Sequence, residues 1–260
     1  MSLADDTPRL RMFAGPNGSG KSTIKSVIDN KLLGDFINPD EIEAEIKRIG
    51  WLDFQKFSLK PQATEILDFF QNSTFLTEAN LTAEAGKLTF QANKLGFSDV
   101  NINSYFASVA ADFIRQKLLQ AKKSFSFETV MSSPDKVDFL KKSRQDGYRN
   151  YLYYVATEDP LINISRVEHH VKTGGHDVPK DKIEARYYRS LDLLLDAIKL
   201  TNRAYIFDNS GDESIFLAEI TDGGPIKIQQ ENIPAWFKIY VLDKVKRPEN
   251  KYLSKIKLVF

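Results

Sequence analysis

The residues with the clearest chemical purpose lie near the N-terminus, in the run Gly15-Pro16-Asn17-Gly18-Ser19-Gly20-Lys21-Ser22. Its spacing is G-x-x-x-x-G-K-[ST], the pattern of a loop that wraps phosphate. Gly15, Gly18 and Gly20 let the backbone curl so that successive N–H groups face phosphate oxygens. Lys21 is spaced to reach the β- and γ-phosphates of a nucleoside triphosphate, and the Ser22 hydroxyl to hold Mg²⁺. With Thr23 carrying the loop into a helix, Gly15 to Thr23 is the expected nucleotide-binding segment. The N-K-x-D motif of a guanine reader is absent, since the Asn-Lys pairs at 30–31, 93–94 and 250–251 lack the Asp. ATP is the expected nucleotide.

Transfer of a phosphoryl group to a hydroxyl also needs a base, acceptor contacts and charge stabilisation. Asp40, in FINPDEIE, follows the second predicted strand, and in a doubly wound sheet such strand ends line the ligand crevice. It suits either a general base or a helix cap. Glu128 and Thr129 close the third predicted strand in FSFETVMSS, where a carboxylate can hold acceptor hydroxyls, the Mg²⁺ water shell or the next helix. Arg166 and Arg186 flank a Gly-Gly loop and fit a lid whose guanidinium forks neutralise phosphoryl charge, or a solvated surface. Asp208, Asn209 and Ser210 end the fifth strand, where a loop can touch adenine or simply turn. The three histidines, His169, His170 and His176, fall within eight residues, but neighbouring ones face different sides of a helix, which argues against a metal site.

Five apolar runs, 10–14, 35–38, 124–128, 149–156 and 204–208, alternate with helical patterns at 21–30, 40–49, 104–122, 134–146, 159–171 and 180–200. This alternation predicts an α/β P-loop NTPase fold with a doubly wound, mostly parallel five-stranded sheet. Residues 214–220 and 225–230 around TDGG predict a hairpin, followed by a short helix near 233–243. The stretch 51–103, with helix-like periodicity at 61–71 and 77–95, predicts a helical insertion in a single domain spanning 1–260.

The 260 residues carry 36 Lys plus Arg against 35 Asp plus Glu, a formal charge of +1. That balance disfavours nucleic acid as a partner. There is no Cys, which excludes disulfides, thiolate metal sites and cysteine nucleophiles. The polar, acidic start and the lack of a long apolar run predict a cytoplasmic protein away from membranes.

Taken together, AGPNGSGKST (14–23), FINPDEI (36–42), FSFETVMSS (125–133), SRV (165–167), GGHDVP (174–179), ARYYRSL (185–191) and FDNSG (207–211) resemble the zeta toxin family of P-loop kinases, particularly its chromosomal branch. The resemblance implies ATP-dependent phosphorylation of a hydroxyl on a small nucleotide-linked substrate, with Mg²⁺. For characterised zeta toxins that acceptor is the 3′-hydroxyl of UDP-N-acetylglucosamine. The family's P-loop lysine falls on Lys21, its catalytic aspartate on Asp40, its substrate-binding glutamate on Glu128 and its two lid arginines on Arg166 and Arg186. An antitoxin-like inhibitory protein is the implied partner. Two departures bear on the acceptor: Val130 stands where the branch usually has Thr, and His170 where Arg is common in the lid. The rival reading is an ATPase or nucleotide-binding protein that acts through a protein partner, without a small-molecule acceptor.

Overall fold

In the computed structural model, residues 6–173 and 177–245 are described, together with the backbone of Leu258 and Val259. Strand β1 (Arg9–Ala14) leads to two short helices, α1 (Lys21–Ser26) and α2 (Asn30–Leu33). Then come β2 (Asp35–Ile37), α3 (Pro39–Ile49), β3 (Trp51–Asp53), α4 (Ala63–Gln71), α5 (Thr74–Glu78), α6 (Thr82–Ala85), β4 (Thr89–Gln91), β5 (Lys94–Gly96) and α7 (Ser104–Gln120). The chain continues through β6 (Phe125–Thr129), α8 (Asp135–Gln145), β7 (Arg149–Ala156), α9 (Pro160–Lys172), α10 (Lys180–Lys199), β8 (Arg203–Asp208), β9 (Ile215–Thr221) and β10 (Ile226–Ile228). A helical segment over 235–245 and the two-residue β11 (Leu258–Val259) complete it. No helix among the described residues is long and apolar enough to cross a membrane.

Two compact units emerge: Met1–Leu33 with Ser126–Phe260, and Gly34–Phe125. In the first, strands run in the order β11-β10-β9-β8-β7-β1-β6, so β1 lies between β7 and β6. β1, β7 and β8 are mutually parallel, in register from Arg9↔Arg149 and Tyr151↔Arg203. Parallel strands covered on both faces read as near-continuous apolar runs, as in β1, where Leu10, Met12, Phe13 and Ala14 are all buried. Helix α10 contributes Ile183, Tyr187, Leu191, Leu194, Leu195 and Ile198 to the core, a stripe at helical spacing.

The mostly parallel sheet thus matches the expectation, with added strands beyond the five predicted. β9 runs antiparallel to β8, and β10 antiparallel to β9, so β9 and β10 form the expected hairpin. The single helix expected over 21–30 is instead split, because it stops at Ser26 and restarts at Asn30.

The second unit is wider than the 51–103 segment, since it takes in β2, α3 and α7. It is also less helical than its periodicity suggested. Over 77–95, where one helix was expected, two short helices give way to a hairpin, and β3-β5-β4 make a three-stranded antiparallel sheet. The hairpin turns on Ala92 and Asn93, both at positive φ (49° and 63°). Such a two-residue turn suits the strand twist, but it is usually announced by Asn-Gly or Asp-Gly. Here no glycine announces it. The unit's core is aromatic: Phe113 meets Phe54 and Phe69 edge-on, and Phe106 stacks with Phe70.

Candidate functional site

The phosphate-loop segment joins the end of β1 to α1, and three other elements of the same unit brace it. Two of its glycines are dictated by closeness. A Cβ on Gly15 would stand 2.0 Å from the Val155 carbonyl oxygen at the end of β7. Gly20, the N-cap of α1, holds φ at 92°, and a Cβ there would stand 2.1 Å from Asn209 Nδ2. The loop carbonyls are held from outside. Asn163 Nδ2 donates to Asn17 O at 2.5 Å, and Asn209 Nδ2 donates to Ser19 O at 2.8 Å. These two outside donors hold the curl of the loop, which is closed from within by the Ser19 N–H donating to Pro16 O at 3.2 Å.

Inside the loop, Lys21 is 7% exposed, and its ammonium donates to the carbonyls of Gly15 at 3.0 Å and Pro16 at 2.9 Å. Glu128 closes the arrangement from the end of β6. One of its oxygens lies 3.9 Å from Lys21 Nζ, and the other accepts from Ser22 Oγ at 3.3 Å. One carboxylate therefore spans the two side chains expected to hold phosphate and metal. The buried Ser19 hydroxyl has no hydrogen-bond partner among the described residues, although a buried hydroxyl ordinarily finds one. A loop whose glycines leave no room for Cβ atoms, with a buried cation and an unmatched hydroxyl, fits a polyphosphate. The oxygen donors Ser22 and Glu128 fit Mg²⁺, which takes few protein ligands beside substrate phosphates.

Thr129 Oγ1 accepts from the N–H of Met131 at 3.1 Å, stabilising a turn in which Met131 takes φ 53°. Ser190 Oγ, from α10, donates to the next carbonyl, Val130, at 2.8 Å. Arg166 is docked on backbone carbonyls: Nη1 donates to Asn209 O at 2.7 Å and Nη2 to Gly211 O at 3.0 Å. Arg186 is half-buried in the second turn of α10. His169 and His170 lie exposed at the end of α9, while His176 and the Gly-Gly of the predicted lid lie outside the described residues. No cluster of three metal-ligating side chains occurs among the described residues.

The turn after β8 is built as a brace. Asp208, 6% exposed, accepts from the Ser210 N–H at 3.0 Å and from Trp236 Nε1 at 2.7 Å. Ser210 Oγ accepts from the Glu158 N–H at 2.8 Å.

Asp40 belongs to the second unit. The cap of α3 is Asn38, whose Oδ1 accepts from the Asp40 N–H at 2.8 Å. The capping role considered for Asp40 is thus taken by its neighbour. The exposed Asp40 carboxylate makes no hydrogen bond or ion pair among the described residues.

Sequence reasoning missed Asn163 and Trp236. Asn163 is fully buried, one turn before buried Val167. An amide on the apolar face of α9 was its signal.

Residues 99–221 match the family model for zeta toxin. The matched segment takes in Glu128, Thr129, Arg166, Arg186 and Asn209, while Lys21 and Asp40 precede it. An uncharacterized protein of Haemophilus influenzae is 22% identical over 175 residues, covering 67% of this chain and 89% of that protein. Among solved structures, AvrRxo1-ORF1:AvrRxo1-ORF2 with sulphate ions is similar at TM-score 0.51 and 15% identity, and the form with ATP at TM-score 0.50 and 16% identity. Both comparisons cover 90% of this chain and 64% of the other, so the chain spans about two thirds of the length of those structures. At such identity the likeness shows a common fold.

Proposed function

We propose that this chain is a member of the zeta toxin family and an ATP-dependent phosphotransferase that uses Mg²⁺ and a hydroxyl acceptor on a small nucleotide-linked substrate. The observation that carries the reading is Glu128 facing Lys21 and Ser22 at once, inside a loop whose glycines admit no Cβ. AvrRxo1-ORF1:-ORF2, similar in fold, was solved with ATP, which supports the choice of nucleotide.

In this reading Gly15, Pro16, Asn17, Gly18, Ser19, Gly20, Lys21, Ser22 and Thr23 bind the triphosphate, and Asn209 holds that loop in shape. Ser22 would hold Mg²⁺, which when bound would supply neutralisation of the phosphate charge. Lys21 exchanges its two loop carbonyls for phosphate oxygens, trading contacts to neutral dipoles for contacts to full negative charge. Glu128 and Thr129 orient the acceptor. Asp40 takes the acceptor proton as the acceptor oxygen bonds to the γ-phosphorus, while the bond to the β-γ bridging oxygen breaks and ADP leaves. Arg166 and Arg186 stabilise the charge of the transferring group. Arg166 does so after giving up the carbonyls of Asn209 and Gly211.

The 3′-hydroxyl of UDP-N-acetylglucosamine is the first acceptor to test, because the family's characterised members use it. An antitoxin-like inhibitory protein is the proposed partner, and the cytoplasm the proposed compartment. Incubation with γ-labelled ATP, Mg²⁺ and a panel of UDP-sugars, nucleosides and dinucleotides tests the reading. Label on a panel hydroxyl supports it, and label released only as free phosphate overturns it.

A further inference from the structure

A cavity of about 450 Å³ opens among the start of α9, the first half of α10 and the helical segment 235–245, and none of its lining residues belongs to the phosphate loop. Its walls are aromatic: Tyr187, Tyr188, Trp236 and Tyr240. Tyr187 and Tyr188 stand at right angles, with ring centroids 5.2 Å apart, and so form a corner. Trp236 and Tyr187 are anchored from behind, by Asp208 and by the Thr157 carbonyl at 2.6 Å, which fixes the rings in place.

The charge of the cavity is one-sided. Glu158, Asp159 and Glu184 line it, and no Lys, Arg or His does. Two of these carboxylates touch only backbone N–H groups in the described contacts: Glu158 Oε1 accepts from Ala235 at 3.1 Å and Asp159 Oδ1 from Leu161 at 2.7 Å. Glu184 is exposed and makes no hydrogen bond or ion pair among the described residues. Three side chains on this cavity are apolar or aromatic yet exposed, Leu161 at 68%, Ile239 at 54% and Tyr188 at 44%.

An anion would be repelled here, and a neutral apolar ligand would strip water from carboxylates without compensating them. A cation with an aliphatic arm satisfies both features, since aromatic faces attract ammonium groups and Leu161 and Ile239 take methylenes. Tyr240 already behaves in this way, with Lys244 Nζ 5.0 Å from its ring centroid. The geometry points to an alkylammonium-binding site, whose ligand is a free polyamine or a lysine side chain of a partner protein.

The test uses the full chain carrying Trp51→Phe, so that Trp236 is the one remaining tryptophan. Its fluorescence is followed during titration with spermidine, with N-acetyl-lysine methylamide and with 1-pentanol as the neutral control, and titration calorimetry runs in parallel. The expected result is saturable binding of an ammonium probe and none of pentanol. Tyr188→Ala weakens binding about tenfold, the scale of a lost cation–aromatic contact. Glu184→Gln weakens it about threefold, as for a partly exposed ion pair. Both changes are at exposed positions, and unchanged circular dichroism shows that the fold is kept. Spermidine as the tighter probe assigns a polyamine, and the lysine amide as the tighter probe assigns a protein partner. Absence of saturable binding in both methods, or equal binding by Tyr188→Ala, overturns the proposal.

Discussion

The side-chain amide of Asn209 donates to the Ser19 carbonyl at 2.8 Å while its backbone carbonyl accepts from Arg166 at 2.7 Å, so one residue braces the phosphate loop and docks an arginine of α9. Asn209→Ala removes the brace and leaves the backbone acceptor in place. A net hydrogen bond is worth roughly 0.5–1.5 kcal/mol, so ATP affinity is expected to fall about three- to tenfold. Titration calorimetry with ATP and Mg²⁺ checks this, and an unchanged affinity would remove Asn209 from the cradle.

Lys21 and Glu128 are predicted to act differently. Lys21→Ala deletes the buried cation, and transfer is expected to drop by a factor on the order of 100 or more. Glu128→Gln keeps the shape and removes the charge, so the Mg²⁺ concentration for half-maximal rate or the acceptor KM is expected to rise while ATP affinity holds. Steady-state rates over a Mg²⁺ and acceptor grid separate the two variants.

Trp236→Phe tests the brace from the other side. The buried Asp208 carboxylate would lose its indole donor, and an unsatisfied buried acceptor costs about 1–3 kcal/mol. Urea denaturation followed by circular dichroism should give a lower midpoint with an unchanged slope.

Much of this architecture was legible in the sequence, for physical reasons that differ by element. β1 and β7 could be read because strands buried on both faces are nearly continuous apolar runs, and the phosphate loop because its glycines have no substitute. The β4-β5 hairpin was hidden, since its turn uses Ala92 and Asn93, and the short flanking strands carry no clear alternation. The braces were hidden for another reason. Asn163 and Asn209 act through pairings with loop carbonyls 146 and 190 residues away, which no local pattern encodes. Asp40 illustrates the reverse case: its sequence position suits a helix cap, but Asn38 two residues earlier carries that cap.

Asp35 supplies a pH test of the second unit. Burial pushes its carboxyl above the ordinary value of 3.8, with Lys123 opposing that shift. The folded state therefore favours the protonated acid. Its stabilising contribution is present at low pH and is lost as pH rises through the folded value. Asp35→Asn is expected to be more stable than the parent at pH 7, with the difference shrinking towards pH 3. Denaturant midpoints across that range check the direction.

The proposed role of Asp40 as the base of a phosphoryl transfer is tested by comparing the parent chain with Asp40→Asn. Each is given γ-labelled ATP, Mg²⁺ and UDP-N-acetylglucosamine beside the wider acceptor panel, with ATP affinity measured separately. A base at Asp40 gives labelled acceptor from the parent, transfer reduced by a factor on the order of 100 to 10,000 in the variant, and equal ATP binding by both. Near-parental transfer by Asp40→Asn would contradict it.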